Sequence, residues 1–527
     1  LGKTYLEILG GSIVYAYGGG NNATVTEKTV ICVDNPSKVV NSMLNSNKEE
    51  LLTTTRFKEK MGINTGFSYP SSDAFQIGRL FGGNNKAEMA IRPTWNLISG
   101  KIRNLYSGGN RGNMTSPEGL LLQIPETSSI FVDNVYGGCR MADVIPLDEQ
   151  GYETTAQSIT TDDFGNALYI PGGMSARTRI LGGHINNVYG GNDITGRVSG
   201  GSSIGIYTTV YGDIYGGGNG SYPYTDNATL QNDPTYGDLY YTIPDGKSSV
   251  EALNAFRPHA EQVSIYVQGY EDKPTIIHGS IYCGGNSASL SSTMTNPKVE
   301  LKVGSYVIAD HVFLGNNGEH MVETNEEEKT GGVVTRHEGV LRTMKSTSIT
   351  SNGTKFNSMD LTNEDIFTEY MDGVSMTLNP SVVFADTINN DPETYQEYTS
   401  YFGSFYCGGN VGSMKIEGKK TSIDFNHKVI IYDKLVGGCN NANVAQTAYN
   451  AAYEGGFIGD PDENGDKLEL TLSGLKIQPK RWNDDNTELI WNTISASTGE
   501  QITIDTPLST GMATAADKDR RLKGGNI

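Results

Sequence analysis

The run Asp460-Pro461-Asp462-Glu463-Asn464-Gly465-Asp466 carries oxygen-bearing side chains at alternate positions and a glycine at the sixth. This is the first half of a calcium loop, in which carboxylates and amides at positions 1, 3 and 5 wrap a hard cation and the glycine permits the sharp turn. The twelfth position, where such loops place a bidentate Glu, is Thr471, and Glu469 is the substitute within reach. Asp460, Asp462, Asn464, Asp466 and Glu469 form the candidate Ca2+ ligand set, and no other cofactor is expected. A polar turn competes with this reading, because Asn464-Gly465 is a hairpin dipeptide and an alternating run follows from Lys467 to Leu472.

Aromatic residues form the second constellation. Tyr222, Tyr224, Tyr236, Tyr240 and Tyr241 fall in one stretch without the regular pattern described below. Tyr395, Tyr398 and Tyr401 fall in another, and Trp95, Trp482 and Trp491 also stand apart. Aromatic rings have an apolar body, and Tyr and Trp add a polar handle. An exposed ring can stack on the C–H face of a sugar, so these residues are glycan-contact candidates. The alternative is that they pack irregular segments onto a scaffold.

Signals for catalysis are weak. The histidines 184, 259, 278, 311, 320, 337 and 427 make no H-E-x-x-H pair, and the chain holds no nucleophile elbow or P-loop. Gly-Gly-Gly-Asn is no phosphate loop, since no helix follows it. A polysaccharide-cleaving site would need paired carboxylates, or carboxylates with a Lys or Arg base. Asp133, Asp193, Asp213, Asp310 and Asp433 lie near motifs, but spacing alone pairs none of them.

The element that must position these groups is a repeat of six to nine residues, with ten copies aligning without a gap. Its first slot is aromatic in nine: Tyr17, Phe81, Tyr106, Tyr136, Tyr189, Tyr215, Tyr282, Phe313 and Tyr406, with Val436 as the exception. The second is mostly small. The third is glycine in all ten: Gly19, Gly83, Gly108, Gly138, Gly191, Gly217, Gly284, Gly315, Gly408 and Gly438. The fifth is Asn except at Arg140 and Asp193. A small and then an apolar residue follow at alternate positions, as in Ala87 and Met89, and Gly-x-Ile often precedes the aromatic slot. An obligate glycine means positive φ or an approach too close for a β-carbon. Gly-Gly-Asn reads as a tight turn, and apolar-x-apolar as a strand.

Spacing sets the architecture. Gly83 to Gly108 is 25 residues, Gly108 to Gly138 is 30, Gly191 to Gly217 is 26, Gly284 to Gly315 is 31 and Gly408 to Gly438 is 30. Periods in this range mean a repeat array, and they are shorter than the 40–45 residues of a propeller blade. The expected fold is all-β: a right-handed parallel β-helix solenoid with loop and short helical insertions. Equivalent slots would stack into aromatic, glycine and asparagine ladders, the asparagine amides bonding to one another about 4.8 Å apart. The step of 53 from Gly138 to Gly191 reads as two coils, one with a degraded motif. Other long steps call for insertions, at about 34–79, 146–165, 222–262, 319–375, 446–468 and 480–520. Helix formers at Lys48–Leu52 and Phe57–Met61, and Thr362–Met371 behind an N-capping threonine, mark short helices. The whole of 1–527 reads as one continuous solenoid. An opening inside a strand pattern and a closing Gly524-Gly525-Asn526 suggest a piece of a longer chain.

Glycine makes up 65 of 527 residues and the formal net charge is −20. The charge argues against nucleic acid and anionic membranes as partners. No run approaches the length of a transmembrane helix, so any membrane attachment would come through missing termini or a partner. Four of five cysteines, Cys139, Cys283, Cys407 and Cys439, replace small residues in repeat slots, which reads as packing by free thiols.

The Tyr-Gly-Gly-Gly-Asn motifs, preceded by Gly-x-Ile, resemble those of large repeat-rich surface proteins of Bacteroidota-type gut bacteria. The resemblance implies export to the outer-membrane surface, as a lipoprotein or part of a surface assembly, and a role in adhesion or glycan capture. The expected function is a non-enzymatic, secreted cell-surface protein presenting an adhesive face to an extracellular glycan or surface protein. A polysaccharide lyase or glycoside hydrolase of the β-helix type, and a phage fibre or tailspike component, are the alternatives.

Overall fold

The computed structural model describes residues 2–35, 76–162, 167–220, 257–318 and 399–410. It also places strands at 321–330, 333–343, 380–384, 420–425, 428–436, 468–473, 476–477, 480–482, 489–491, 502–503 and 525–526. The described residues form strands and turns without a helix, and none of them belongs to a helix long and apolar enough to cross a membrane.

Most strands lie in parallel sheets. One sheet has ten strands, and every one of them ends on the aromatic slot of a motif, from Ile13–Tyr17 through Lys101–Tyr106 and Thr275–Tyr282 to Lys428–Val436. The register is continuous: Tyr17 faces Phe81, Phe81 faces Tyr106, and so on through Phe313 and Tyr406 to Val436. Between visits to this sheet the chain enters a second one. At first that is a three-stranded sheet of Lys3–Ile8, Lys28–Asp34 and Pro93–Ser99. From Leu120–Ile124 onward it is a nine-stranded sheet running through Ala176–Ile180, Ser202–Ile206, Val263–Val267 and Val299–Val303. Each strand pairs with the one laid down a passage earlier.

Alternation along these strands builds the core. Leu122, Ile124, Ile180, Ile204, Ile206, Ile265 and Val267 from one sheet meet Ile102, Leu105, Val132, Val135, Ile185 and Val188 from the other, all buried in one aliphatic cluster. The strand period of two explains the pattern, since every second side chain points the same way. The motif aromatics form a separate buried cluster. Nine rings from Tyr17 to Tyr406 stack with centroids 4.5–4.9 Å apart and planes within 11°. Aromatic pairs contribute about 0.5–1.5 kcal/mol each beyond their area.

The fifth slot forms an amide ladder. Asn85 Nδ2 donates to Asn21 Oδ1 at 2.7 Å, and Asn110 donates to Asn85 at 2.8 Å. Farther along, Asn286 donates to Asn219, Asn317 to Asn286 and Asn410 to Asn317, at 2.8–2.9 Å. The two exceptions are neighbours in the ladder and carry opposite charges. Arg140 donates to Asn110 Oδ1 at 3.1 Å, and Asp193 accepts from Asn219 at 3.0 Å. Arg140 and Asp193 are 1 % and 0 % exposed. Tyr106 Oη donates to Asp193 Oδ2 at 2.7 Å.

The invariant glycines among the described residues, Gly19 to Gly408, have ordinary φ. Positive φ belongs instead to Gly11, Gly100 and Gly183, at the upstream Gly-x-Ile turns. Close approach is what the third slot requires. A β-carbon on Gly284 would lie 1.8 Å from Asn316 Oδ1, and one on Gly138 2.1 Å from Asn192 Oδ1. These asparagines occupy the fourth slot, whose role the sequence reading missed. Asn192 accepts from Cys139 N at 2.7 Å and donates to Ala142 O at 2.9 Å, latching its turn to the preceding one.

Two expectations are corrected. The 53-residue step holds one passage, because Tyr136 faces Tyr189 directly and Leu120–Ile124 pairs with Ala176–Ile180. The extra residues leave the sheets and include an antiparallel pair, Ile159–Thr161 with Ala167–Ile170, instead of a degraded coil. The strand expected after each turn is reduced to single bridges, such as Met89 with Met114, and to the two-residue strands Arg197–Val198, His259–Ala260 and Ser289–Leu290. The helix candidates at 48–61 and 362–371 lie outside the described residues.

Candidate binding surface

The aromatic candidates Tyr222, Tyr224, Tyr236, Tyr240, Tyr241, Tyr395 and Tyr398 lie outside the described residues, as do the calcium candidates Asp460, Asp462, Asn464 and Asp466. Trp482 and Trp491 fall on an antiparallel strand pair, with Trp482 opposite Leu489 and Trp491 opposite Lys480. Glu469 stands on the strand Leu468–Ser473, facing Lys420 and Asn526 in register. Gly525 therefore joins the nine-stranded sheet. Trp95 is not a glycan contact. Its strand turns it into the aliphatic core, where it is 2 % exposed.

The structure instead assembles a row of rings that sequence reasoning did not single out. Phe131 stacks on His184 at 4.4 Å, His184 tilts against Tyr211 at 6.2 Å, and Tyr211 stacks on His278 at 5.2 Å. Each ring is next in sequence to a core residue: Val132, Ile185, Val210 and Ile277. Alternation therefore sets the row on the opposite, outer face of the strands. Phe131 and His184 precede their core residue, whereas Tyr211 and His278 follow theirs. This two-residue offset in the register, which keeps the face, accounts for the tilted middle step. Phe131 is covered to 2 % exposure, and the other three rings are half-buried. Burial holds the His184 imidazole below its ordinary pKa and so neutral at pH 7.

A polar stripe runs beside this row. Asn134 donates to Asn104 at 3.0 Å, Asn187 donates to Asn134 at 3.0 Å, and Asn187 Oδ1 accepts from Asp213 N at 2.9 Å. Asp213 receives Ser280 N at 2.7 Å and Tyr215 Oη at 3.0 Å. Asp133 receives Asn186 Nδ2 at 2.9 Å. Burial pushes the Asp133 carboxyl up, with Asn186 and Arg103 opposing. Rings beside fixed amides and carboxylates offer an apolar face together with directional donors and acceptors, the composition of small-ligand sites.

Comparison with family models, with characterised proteins and with solved structures finds no match for this chain. Its chemistry has to be read from its own side chains.

The group most like a catalytic pair is Glu153 with Glu261. Arg197 occupies both carboxylates, reaching Glu153 Oε2 at 2.6 Å and Glu261 Oε1 at 3.0 Å. Ser199 Oγ also donates to Glu153, and Gly200 N donates to Glu261 at 2.7 Å. Arg197 sits beside His259 in the short sheet, and Glu153 belongs to the 146–175 excursion. The cluster ties that excursion down, as does buried Arg177, which donates to Met174 O and Gln157 O at 2.7 Å each. The docked excursion displays Tyr152 and Tyr169, 72 % and 73 % exposed, two further aromatics the sequence reading passed over. Among the described residues no group of three or more His, Cys, Asp or Glu is arranged to hold a metal ion. Cys32, Cys139 and Cys283 are free thiols, and these three and Cys407 are buried.

Proposed function

We propose that the chain is a right-handed parallel β-helix solenoid acting as a non-enzymatic, secreted cell-surface protein that binds glycan along its outer faces. The observation that carries the reading is the half-buried row His184–Tyr211–His278, backed at one end by the covered Phe131 ring, with the polar stripe beside it. Rings repeating at strand spacing on a stacked scaffold suit a ligand that is itself a repeating chain. Sugar rings supply C–H faces for the rings, and their hydroxyls supply donors and acceptors for Asn134, Asn187 and Asp133. The scaffold holds these groups before binding, which lowers the ordering cost of association. An acidic, polar surface favours a soluble exported protein, and attachment at the outer-membrane surface follows from the resemblance of the motifs.

A polysaccharide panel with two readouts tests this reading: retardation in affinity gels and release of reducing or unsaturated ends. Retardation without product, weakened by Tyr211→Ala, is the expected result. Product release would replace binding by catalysis and direct attention to Asp133. Silence in both readouts would reject glycan as the ligand.

A further inference from the structure

We propose that the outer face of the nine-stranded sheet takes an acidic glycan, with Arg179 holding a sugar carboxylate and the Tyr207 ring taking the apolar face of the sugar. The proposal rests on the glycan reading above and narrows it to polyuronate-type chains.

The fourth positions of five successive strands are Gln123, Arg179, Gly205, Tyr266 and Lys302, in register across the sheet. The residues after them, Ile124, Ile180, Ile206, Val267 and Val303, lie in the aliphatic core, so this row faces outward. Gly205 leaves a gap in the row. Tyr207 fills it from two residues on, its Cε2 lying 3.1 Å from where a β-carbon of Gly205 would be. Tyr266 stands edge-on to the Tyr207 ring, with centroids 5.7 Å apart and a 67° interplanar angle. Its hydroxyl is anchored by donating to Gln268 Oε1 at 2.9 Å.

The Arg179 guanidinium carbon lies 5.9 Å from the Tyr207 ring centroid. Arg179 Nη1 donates to Gln123 Oε1 at 2.9 Å, a neutral partner that orients the guanidinium without neutralising it. Among the described residues no carboxylate forms an ion pair with Arg179. The other cation of the row, Lys302, is paired with Glu300 at 3.2 Å. In a chain of net charge −20, an oriented guanidinium with no acidic partner among the described residues is a point of charge complementarity for an anion. Its planar fork matches a carboxylate bidentately. The flat ring beside it selects the carrier of that carboxylate. A uronate presents a carboxylate and a C–H face on one rigid ring, whereas an acidic peptide presents a carboxylate on a flexible stem.

The test is affinity electrophoresis of the full chain in polygalacturonate, in a neutral galactan and in poly-glutamate, for the wild type, Arg179→Gln and Tyr207→Ala. Circular dichroism checks each fold. The wild type is expected to be retarded most by polygalacturonate, and 0.5 M NaCl should weaken that retardation. Arg179→Gln should weaken it about tenfold or more, the size of a lost charge-assisted hydrogen bond. Unchanged polygalacturonate binding by folded Arg179→Gln would overturn the proposal. So would salt-insensitive binding by the wild type, or equal retardation by poly-glutamate. Binding to neutral glycan alone overturns this proposal and spares the broader one, while binding to no glycan overturns both.

Discussion

The side-chain oxygen of Asn316 occupies the space that a β-carbon on Gly284 would need. The two positions are 1.8 Å apart, and Asn316 Oδ1 accepts Gly285 N at 2.8 Å. Glycine in one turn and asparagine in the next are thus two halves of one contact.

Asn316→Ala should expose the Gly285 amide to exchange by removing its acceptor, at a local cost of about 1–3 kcal/mol. Gly284→Ala should cost at least as much by overlap. The double variant should cost less than the sum of the two, because the overlap with the side-chain amide is gone. Hydrogen exchange at Gly285 measures all three, and strict additivity would show that the two residues are not coupled.

Tyr106→Phe isolates one hydroxyl. Phe81 and Phe313 already sit in the aromatic stack, so the slot accepts a ring without oxygen. The loss then falls on Asp193, a fully buried carboxylate deprived of a 2.7 Å donor. Destabilisation of about 1–3 kcal/mol is expected in thermal or denaturant unfolding. A neutral result would mean that the remaining contacts of Asp193 carry it.

Acid should loosen the 146–175 excursion. The hydrogen bond from Arg197 holds the Glu153 carboxyl below the ordinary Glu range. A group with a lowered folded pKa contributes stability above its unfolded pKa and loses it as pH falls through the folded value. Limited proteolysis of the excursion should therefore accelerate below about pH 4. Glu153→Gln should be cleaved faster than wild type at pH 7, and the difference should shrink toward pH 3. A constant difference across that range would remove the ion pair from the explanation.

Cys139 and Cys283 should resist alkylation in the folded protein. Burial pushes both thiols up to about 12. The reactive thiolate is scarce there, by about a thousandfold against an ordinary thiol, and the sulfur is covered. Mass spectrometry of iodoacetamide-treated protein at pH 8 should find both peptides unmodified until denaturant is added. Rapid native labelling would show that these passages open.

His184 should act in glycan binding as a ring and not as a charge. His184→Phe is expected to keep the retardation seen in affinity gels, and His184→Ala to lose part of it. A loss in the phenylalanine variant would assign the nitrogen atoms a direct contact.

The slots that the sequence displays are the ones where stacking leaves no freedom. Ring must lie on ring at Tyr189 and Tyr215, and glycine must face amide at Gly138 and Asn192, so residue type repeats and the ten-stranded register could be read in advance. The outer row could not. Phe131 and His184 stand five residues before their motif aromatics, while Tyr211 and His278 stand four before theirs, and the row mixes three residue types. Nothing in the core fixes an outward side chain, so only the folded register brings these rings together. Arg179 and Tyr207 were hidden for the same reason, and Trp95 was misread because its strand carries no motif. The 53-residue step misled because an excursion and a degraded coil add similar lengths of chain.

The asparagine ladder has a direction. In the steps between asparagines the later residue gives its N–H to an oxygen supplied by the earlier one. A chain emerging N-terminus first would meet an acceptor already waiting at each such step, so growth of the stack can follow the order of synthesis or export. Arg140 and Asp193 interrupt that grammar. Each keeps the direction toward its asparagine neighbour, Arg140 giving to Asn110 and Asp193 taking from Asn219, but the first side chain has only donors and the second only acceptors, so neither could play the double role of an asparagine. A register slip by one passage would part Arg140 from Asn110 and Asp193 from Asn219, leaving buried charges to find new partners. The pair therefore works as a vernier mark, the place among the described residues where the ladder departs from asparagine and one passage can be told from the next.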